Sequence, residues 1–348
     1  MKLRNPYTNR SAVRCESDFF GRERELQDIY TRVLGSQSVS LIGERRVGKS
    51  SLLNALMFSS QRLHHGVPEE FRFILVDCQY IVGFEEEVFL EYLLTRIAEE
   101  TSSEIGEPRR YTLRQVARKL HADGIRPVIL MDEFDVFVDN ERITMDFLSF
   151  LRSWSSEFSI PLVIVSREGS IDRLAESPTT GSAFLNIFGI IYIGSFSENE
   201  ASELVTVPAE LAGEPFEPEQ LLWILELAGH FPFFLQIACF HLFELNRSGA
   251  PPQEKRELLK KNFAYETMPH FEYLLGRLSE GERAFLKAWG RRGDPSVDSI
   301  AASELRRKGI LLGDAPPRIF SKVFQELVRI REGGGRTFVQ AIKERALE

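Results

Sequence analysis

The chain has 348 residues, of which 43% are hydrophobic and 27% charged. That length suggests two or three domains able to bury full cores without a disulfide or metal staple. Its 43 Lys and Arg against 51 Asp and Glu give a net charge of −8, the opposite balance to a chain whose main work is coating nucleic acid. Three cysteines, Cys15, Cys78 and Cys239, are far apart and form no CxxC or Cys/His zinc spacing, which fits a reducing compartment. The N-terminus is polar, without the apolar stretch of a signal peptide, and the longest apolar run, Phe231 to Phe243, is too short to span a bilayer. These features predict a cytoplasmic protein with no membrane association.

Residues 1–18 read as polar and irregular. Leu26, Ile29, Tyr30 and Val33 recur at helical spacing, predicting a helix to about Leu34. Ser38 to Ile42 reads as a strand, Lys49 to Phe58 as a helix and Phe71 to Cys78 as a second strand. Helical stretches follow at about Glu85 to Glu100 and Leu113 to Asp123. Val128 to Met131, Leu162 to Val165 and Ile190 to Ile193 are further apolar runs. Continuous apolar strands alternating with helices predict an α/β fold with a five-stranded parallel sheet, buried on both faces and wound by right-handed crossovers. After Phe196 the strand pattern stops. Helices are expected from Ser197 to about Asn246, over 253–275, from Leu278 to Trp289, near Ser299 to Lys308 and over Lys322 to Ile330. A Gly-Asp and Pro-Pro turn lies between Ile310 and Phe320. A glycine triplet at 333–335 leads into a tail. The 27 Phe are expected to be core.

Gly43-Glu44-Arg45-Arg46-Val47-Gly48-Lys49-Ser50 fits GxxxxGK[ST] without a mismatch, between a strand and a helix. At ordinary composition this arises by accident in about one chain of this length in a hundred. Gly43 and Gly48 let the backbone curl so that N–H groups, including those of Arg46 and Val47, face a β-phosphate. The following helix adds its positive dipole end. Lys49 is expected to reach the β- and γ-phosphates, the Ser50 hydroxyl to ligate Mg²⁺, and Ser51 to donate to the α-phosphate. Arg45 and Arg46 either lean over the nucleotide, meet a neighbour or are solvated.

The strand Val128 to Met131 ends in Asp132-Glu133. About 80 residues after a phosphate loop, those acids are expected at the same crevice of the sheet. Asp132 is placed to hold Mg²⁺ through its water shell, and Glu133 to orient or deprotonate the attacking water. Asp135 and Asp139 are expected to face solvent. Arg167, after Ser166 at the end of the next strand, is placed to report the γ-phosphate. From Leu174 to Asn246 there is no Lys or Arg. An arginine finger in that stretch is therefore excluded, so hydrolysis should be slow or depend on a basic group from elsewhere.

The sequence here resembles the STAND class of P-loop ATPases, more narrowly the bacterial AAA-like STAND proteins, relatives of AAA+ and origin-recognition initiator ATPases. Besides the phosphate loop, the resemblance rests on Phe19-Phe20-Gly21-Arg22-Glu23-Arg24-Glu25, Ser166-Arg167, Phe184 to Phe188, Gly194-Ser195-Phe196-Ser197, Gly229-His230-Phe231-Pro232 and Phe320-Ser321-Lys322-Val323-Phe324. It implies that Phe20 and Gly21 pack near the adenine, that Pro232 contacts the base, and that the ligands are ATP, ADP and Mg²⁺. It also implies three parts: an NTPase core with its opening segment over 1–196, a helical lid over 197–275, and a winged-helix-like domain with tail over 276–348. In the family ADP holds the protein closed and ATP exchange opens it for assembly. Most relatives carry a fused effector or repeat sensor. This chain has room for neither, so sensing and output are expected in a protein partner in trans or in the tail and surface of this chain, and nucleotide-dependent self-assembly is a further expectation.

From Arg277 onward 15 basic residues face 10 acidic ones, and Arg306-Arg307-Lys308 could touch phosphates. This supports an alternative, a DNA-associated ATPase resembling initiators or transposition regulators. Against it, the stretch from Asp294 to Gly309 has room for one helix, and a DNA-reading helix-turn-helix needs two. A scaffold that binds nucleotide without turnover is disfavoured by the intact Lys49, Ser50, Asp132 and Glu133. Six histidines, including adjacent His64-His65, show no metal-ligand spacing. Gly169-Ser170 is not a nucleophile elbow, because GxSxG is absent.

Overall fold

Five apolar runs form one parallel sheet in the computed structural model, which describes residues 4–80, 85–104, 106–140, 142–167, 184–292, 299–313 and 317–332. Gly169-Ser170 and the glycine triplet lie outside those residues. The chain divides into two units. Residues 12–44 and 48–193 form the first; residues 4–11, 45–47 and those from 194 onward form the second.

In the first unit the strands are β1 (Ser38–Gly43), β2 (Phe71–Asp77), β3 (Arg126–Asp132), β4 (Leu162–Ser166) and β5 (Phe188–Ile193), in the order β2-β3-β4-β1-β5. All four pairings are parallel. The order reverses at β1, so the carboxyl end of β1 is the crevice where an open α/β sheet takes its ligand. β1, β3 and β4 are buried almost throughout. β5 departs from the expected two-sided burial. It is an edge strand, and its Ile190 and Tyr192 are each 50% exposed while Ile191 and Ile193 are buried.

Helices α1 (Glu23–Leu34), α2 (Lys49–Ala55), α3 (Ser59–His64), α4 (Glu86–Thr101), α5 (Arg110–Ala122), α6 (Asp135–Val138) and α7 (Met145–Phe158) belong to this unit. Leu90, Leu94 and Ile97 of α4, Leu113 and Leu120 of α5, and Leu151 and Trp154 of α7 share one core with Ile74, Val76, Ile129 and Ile164 of the sheet. The helix expected from Lys49 to Phe58 stops at Ala55 and restarts at Ser59. The Tyr30 hydroxyl takes the Leu56 carbonyl at 3.0 Å, so that carbonyl is withdrawn from the helical ladder.

The second unit contains α8 (Glu198–Leu211), α9 (Pro218–Ala228), α10 (Pro232–Arg247), α11 (Pro252–Arg277), α12 (Glu280–Arg292), α13 (Ile300–Arg307) and α14 (Lys322–Glu332). Ser197 and Glu200 form a reciprocal capping box at α8. β6 (Leu311–Leu312) and β7 (Arg318–Ile319) make a two-residue antiparallel ladder before α14. Between Arg292 and Gly309 the described residues contain the single helix α13, as the spacing predicts. Tyr7 of the leading segment is fully buried, and its hydroxyl donates to the Val205 carbonyl.

Phenylalanine supplies much of the second core. Phe231 lies 4.8 Å from Phe320, Phe234 lies 4.7 Å from Phe271, and Phe320 lies 5.2 Å from Phe324 between ring centroids. These contacts tie α10 and α11 to the last strand and helix at separations favourable for aromatic pairs. Gly229 makes the approach possible. It has φ +60°, and a Cβ there would sit 2.7 Å from the Phe320 carbonyl oxygen. Gly229→Ala should therefore destabilise the protein by about 1–3 kcal/mol, from left-handed strain and displaced backbone. Urea denaturation checks this; a shift below about 0.5 kcal/mol would contradict the packing described.

Candidate functional site

The carboxyl ends of β1 and β3 carry the groups that the sequence picks out. Gly48 adopts φ +102° and opens α2, so Lys49 and Ser50 stand in the first turn of that helix. Lys49 Nζ donates to the carbonyls of Gly43 at 2.7 Å and Glu44 at 2.9 Å. Burial pushes its amine below the ordinary lysine value, while Asp135, Glu44, Glu133 and Asp132 pull it back. The ammonium thus faces four carboxylates. Ser50 lies near enough to the Asp132 carboxylate to favour its charged form. Ser51 accepts the Val13 amide at 3.0 Å, which leaves its own proton to donate.

Asp132 and Glu133 are both held above the usual carboxylate range. For Asp132 the main cause is burial, opposed by Ser50. For Glu133 it is burial, followed by the charges of Asp132 and Asp135. Glu133 also sits at φ +50°, a strained position for a residue with a side chain. Two contacts pin it there. The Phe134 amide donates to the Val165 carbonyl at 2.8 Å, and the Asp135 carboxylate accepts the Arg167 amide at 3.1 Å. The turn after β3 is thereby strapped to the end of β4.

Asp135 corrects the sequence expectation. It is 2% exposed, not solvated, and also pairs with Arg167 Nε at 3.0 Å. Arg167 reaches Asp139 as well, at 3.6 Å. The guanidinium expected at the γ-phosphate is therefore engaged by two carboxylates. Asp139 is exposed, as expected. Asp77 is a residue that sequence reasoning missed. It ends β2 in register with Asp132 and raises that carboxyl. Its signal was present, since Phe71 to Asp77 is an apolar run closed by an acid, as in β3.

The remaining predicted site residues are spread over both units. In the first, Phe20 is half-buried before Gly21 and Arg22, which take φ +67° and +66° in succession and lead into α1. Arg22 is 3% exposed and pairs with Glu25 at 2.8 Å. In the second, Arg46 donates to the Arg10 carbonyl at 2.7 Å, and its guanidinium lies 4.6 Å from the Phe233 ring centroid. Arg45 lies over Tyr273 at 5.3 Å. Val47 is buried, and Pro232 is the first residue of α10. The structure thus brings Gly43, Gly48, Lys49, Ser50, Asp132 and Glu133 together in the first unit, whereas Arg46, Val47 and Pro232 belong to the second.

A family model described as Novel STAND NTPase 2 matches residues 33–296. No curated protein matches the sequence. Among solved structures, the chain is similar to the Walker-type ATPase PABY2304 of Pyrococcus abyssi, with TM-score 0.63 and 18% identity over 93% of this chain and 100% of that one. It is also similar to the ORC2 protein of Aeropyrum pernix in ADPNP–ADP complexes, with TM-score 0.55 and 15% identity over 96% and 99% of the two chains. For Cdc6p from Pyrobaculum aerophilum the TM-score is 0.51 and the identity 16%, over 98% of each chain. At these identities the likeness speaks for the fold. Among the described residues, no helix is long and apolar enough to cross a membrane.

Two outcomes test this geometry. Asp135→Ala leaves the Arg167 amide without its acceptor and should cost about 1–3 kcal/mol in a denaturation series; an unchanged midpoint would contradict the strap. Glu133 has a raised carboxyl in the fold, so its stabilising contribution is present at acid pH and lost as pH rises through the folded value. The nucleotide-free Glu133→Gln variant should therefore melt above the wild type at pH 7. That gap should close as pH falls toward the ordinary carboxylate range. A variant melting below the wild type at pH 7 would refute this.

Proposed function

Because the chain belongs to the novel STAND NTPase 2 family, we propose that it is an ATP-binding, slowly hydrolysing molecular switch whose nucleotide state controls its conformation and its assembly with partners. The observation that carries this reading is the convergence of Lys49, Ser50, Asp132 and Glu133 at the carboxyl ends of β1 and β3. The Lys49 ammonium donates to two loop carbonyls. On binding it exchanges them for β- and γ-phosphate oxygens, while the amides of the loop and the start of α2 cradle the phosphate chain. Ser51 donates to the α-phosphate.

Ser50 and Asp132 are close enough to interact and offer only oxygen donors, a set suited to Mg²⁺. When bound, that ion neutralises charge that develops on the phosphates. Glu133 accepts a proton from a water as its oxygen attacks the γ-phosphorus and the bond to the β–γ bridging oxygen breaks. Its raised carboxyl makes it a stronger base than an ordinary glutamate. Arg167, tethered by Asp135, is a candidate reporter of the γ-phosphate. Within the first unit, Phe20 and Gly21 are the proposed contacts of the base.

The absence of Lys and Arg from Leu174 to Asn246 supports slow turnover and a stimulating basic group from a protein partner or a second copy. The three cysteines are unpaired, in keeping with a cytoplasmic setting. We assign residues 1–196 to the NTPase core, 197–275 to the lid and 276–348 to a winged-helix-like domain that serves protein contacts. Two of the basic residues behind the DNA-associated alternative are engaged within the chain. Lys308 is largely buried and paired with Glu282 at 2.8 Å, and Arg307 is paired with Glu304 at 3.1 Å.

Two variants test the proposal. Lys49→Ala should abolish binding of a fluorescent ATP analogue. Glu133→Gln should keep binding and reduce phosphate release at least a hundredfold. Unchanged phosphate release by Glu133→Gln would overturn the assignment of the base.

A further inference from the structure

Among the described residues, one set of three metal-ligating side chains has its donor atoms within 4.8 Å of one another: Glu23, His64 and His65. Glu23 opens α1, His64 ends α3 and His65 follows it, all within the first unit. The proposed nucleotide chemistry uses none of them. His64 Nε2 lies 3.1 Å from Glu23 Oε1, and His65 Nε2 lies 3.4 Å from the same oxygen. A tetrahedral ion with bonds of ~2.0–2.1 Å holds its donors roughly 3.3 Å apart. The two observed edges bracket that spacing.

The hydrogen bonds behind His65 determine which of its nitrogens is bare. The Thr31 hydroxyl donates to the Gln27 carbonyl at 2.7 Å, so its oxygen is left to accept. Gln27 Nε2 donates to that oxygen at 3.2 Å. This turns Gln27 Oε1 toward His65 Nδ1, at 2.9 Å. An amide oxygen can only accept, so Nδ1 carries a proton and Nε2 is the nitrogen left to ligate a metal ion. That nitrogen is buried and without a hydrogen-bond partner, on a side chain 1% exposed. It faces a carboxylate oxygen, which is a second acceptor. His64 Nε2 converges on the same carboxylate oxygen. Three donors meeting at one point is the arrangement of a metal site. The His65 ring is held from both sides, by Tyr30 at 4.9 Å and the edge of His64 at 5.0 Å.

We propose that Glu23, His64 and His65 bind a divalent transition ion of the zinc class, with Gln27 as the outer partner that orients His65. Two imidazoles and one carboxylate suit Zn²⁺, whereas Mg²⁺ and Ca²⁺ favour all-oxygen sets. The fourth position opens to solvent, since the side chains of His64 and Glu23 are 68% and 63% exposed. Bound there, the ion pins the start of α1 to the end of α3.

The test is calorimetric titration of the full chain with Zn²⁺, without nucleotide and with excess Mg²⁺ to saturate the oxygen site. The wild type should take up one Zn²⁺ per chain, and Co²⁺ in its place should give the visible absorption of a four-coordinate ion. His64→Ala and Glu23→Gln, both at exposed positions, should each weaken binding at least tenfold. Gln27→Ala should weaken it about tenfold, as loss of an orienting partner does. His64→Ala should leave ATP binding unchanged, which separates this site from the phosphate site. No Zn²⁺ uptake by the wild type, or equally tight uptake by His64→Ala and Glu23→Gln, would overturn the proposal.

Discussion

A buried ammonium among carboxylates, at the carboxyl edge of a parallel sheet, is the constraint around which the first unit is arranged. Lys49 is desolvated, yet it faces Asp135, Glu44, Glu133 and Asp132. Each of these charges is costly to bury alone and tolerable only in company. The strand order puts them together. β1 delivers the phosphate loop, β3 delivers the two acids, and β4 lies between and supplies the backbone that fixes the turn after β3. A polyanion with its counter-ion suits that edge, since Lys49 then gains phosphate oxygens and Asp132 gains a cation.

The same arrangement stores strain. Glu133 is kept at positive φ because Phe134 and Asp135, which follow it, are tied to the end of β4. Sites that hold a base in a sparsely populated conformation do so at a cost to stability, met by the packing around them. The large shared core of α4, α5, α7 and the sheet provides that packing. Arg167 shows the other side of this economy. Its charge is paired with Asp135 and Asp139, so a response to phosphate must compete with those carboxylates.

β3 and β4 were readable because strands covered on both faces leave unbroken apolar runs, and the phosphate loop because its glycines, lysine and serine are demanded by backbone geometry and charge. The resemblance to STAND ATPases is borne out by the family match over residues 33–296. What could not be read depends on separation in space. Asp135 looked like a surface acid because nothing near it in sequence reveals the Arg167 amide on the next strand. Helix α3, six residues long, is too short to show a period. His64 and His65 carried no metal spacing because their third partner, Glu23, lies some forty residues earlier on another helix. Gly229 was noticed as part of a motif, but its reason, the close passage of Phe320, is a tertiary fact.

The central claim is that nucleotide state governs assembly. The most direct measurement is solution mass by light scattering, first with ADP and then with a non-hydrolysable ATP analogue and Mg²⁺. The account predicts a monomer with ADP and a larger species with the analogue, and predicts that Lys49→Ala stays monomeric in both. The same mass in both states, with the expected partner present as well as without it, would contradict it.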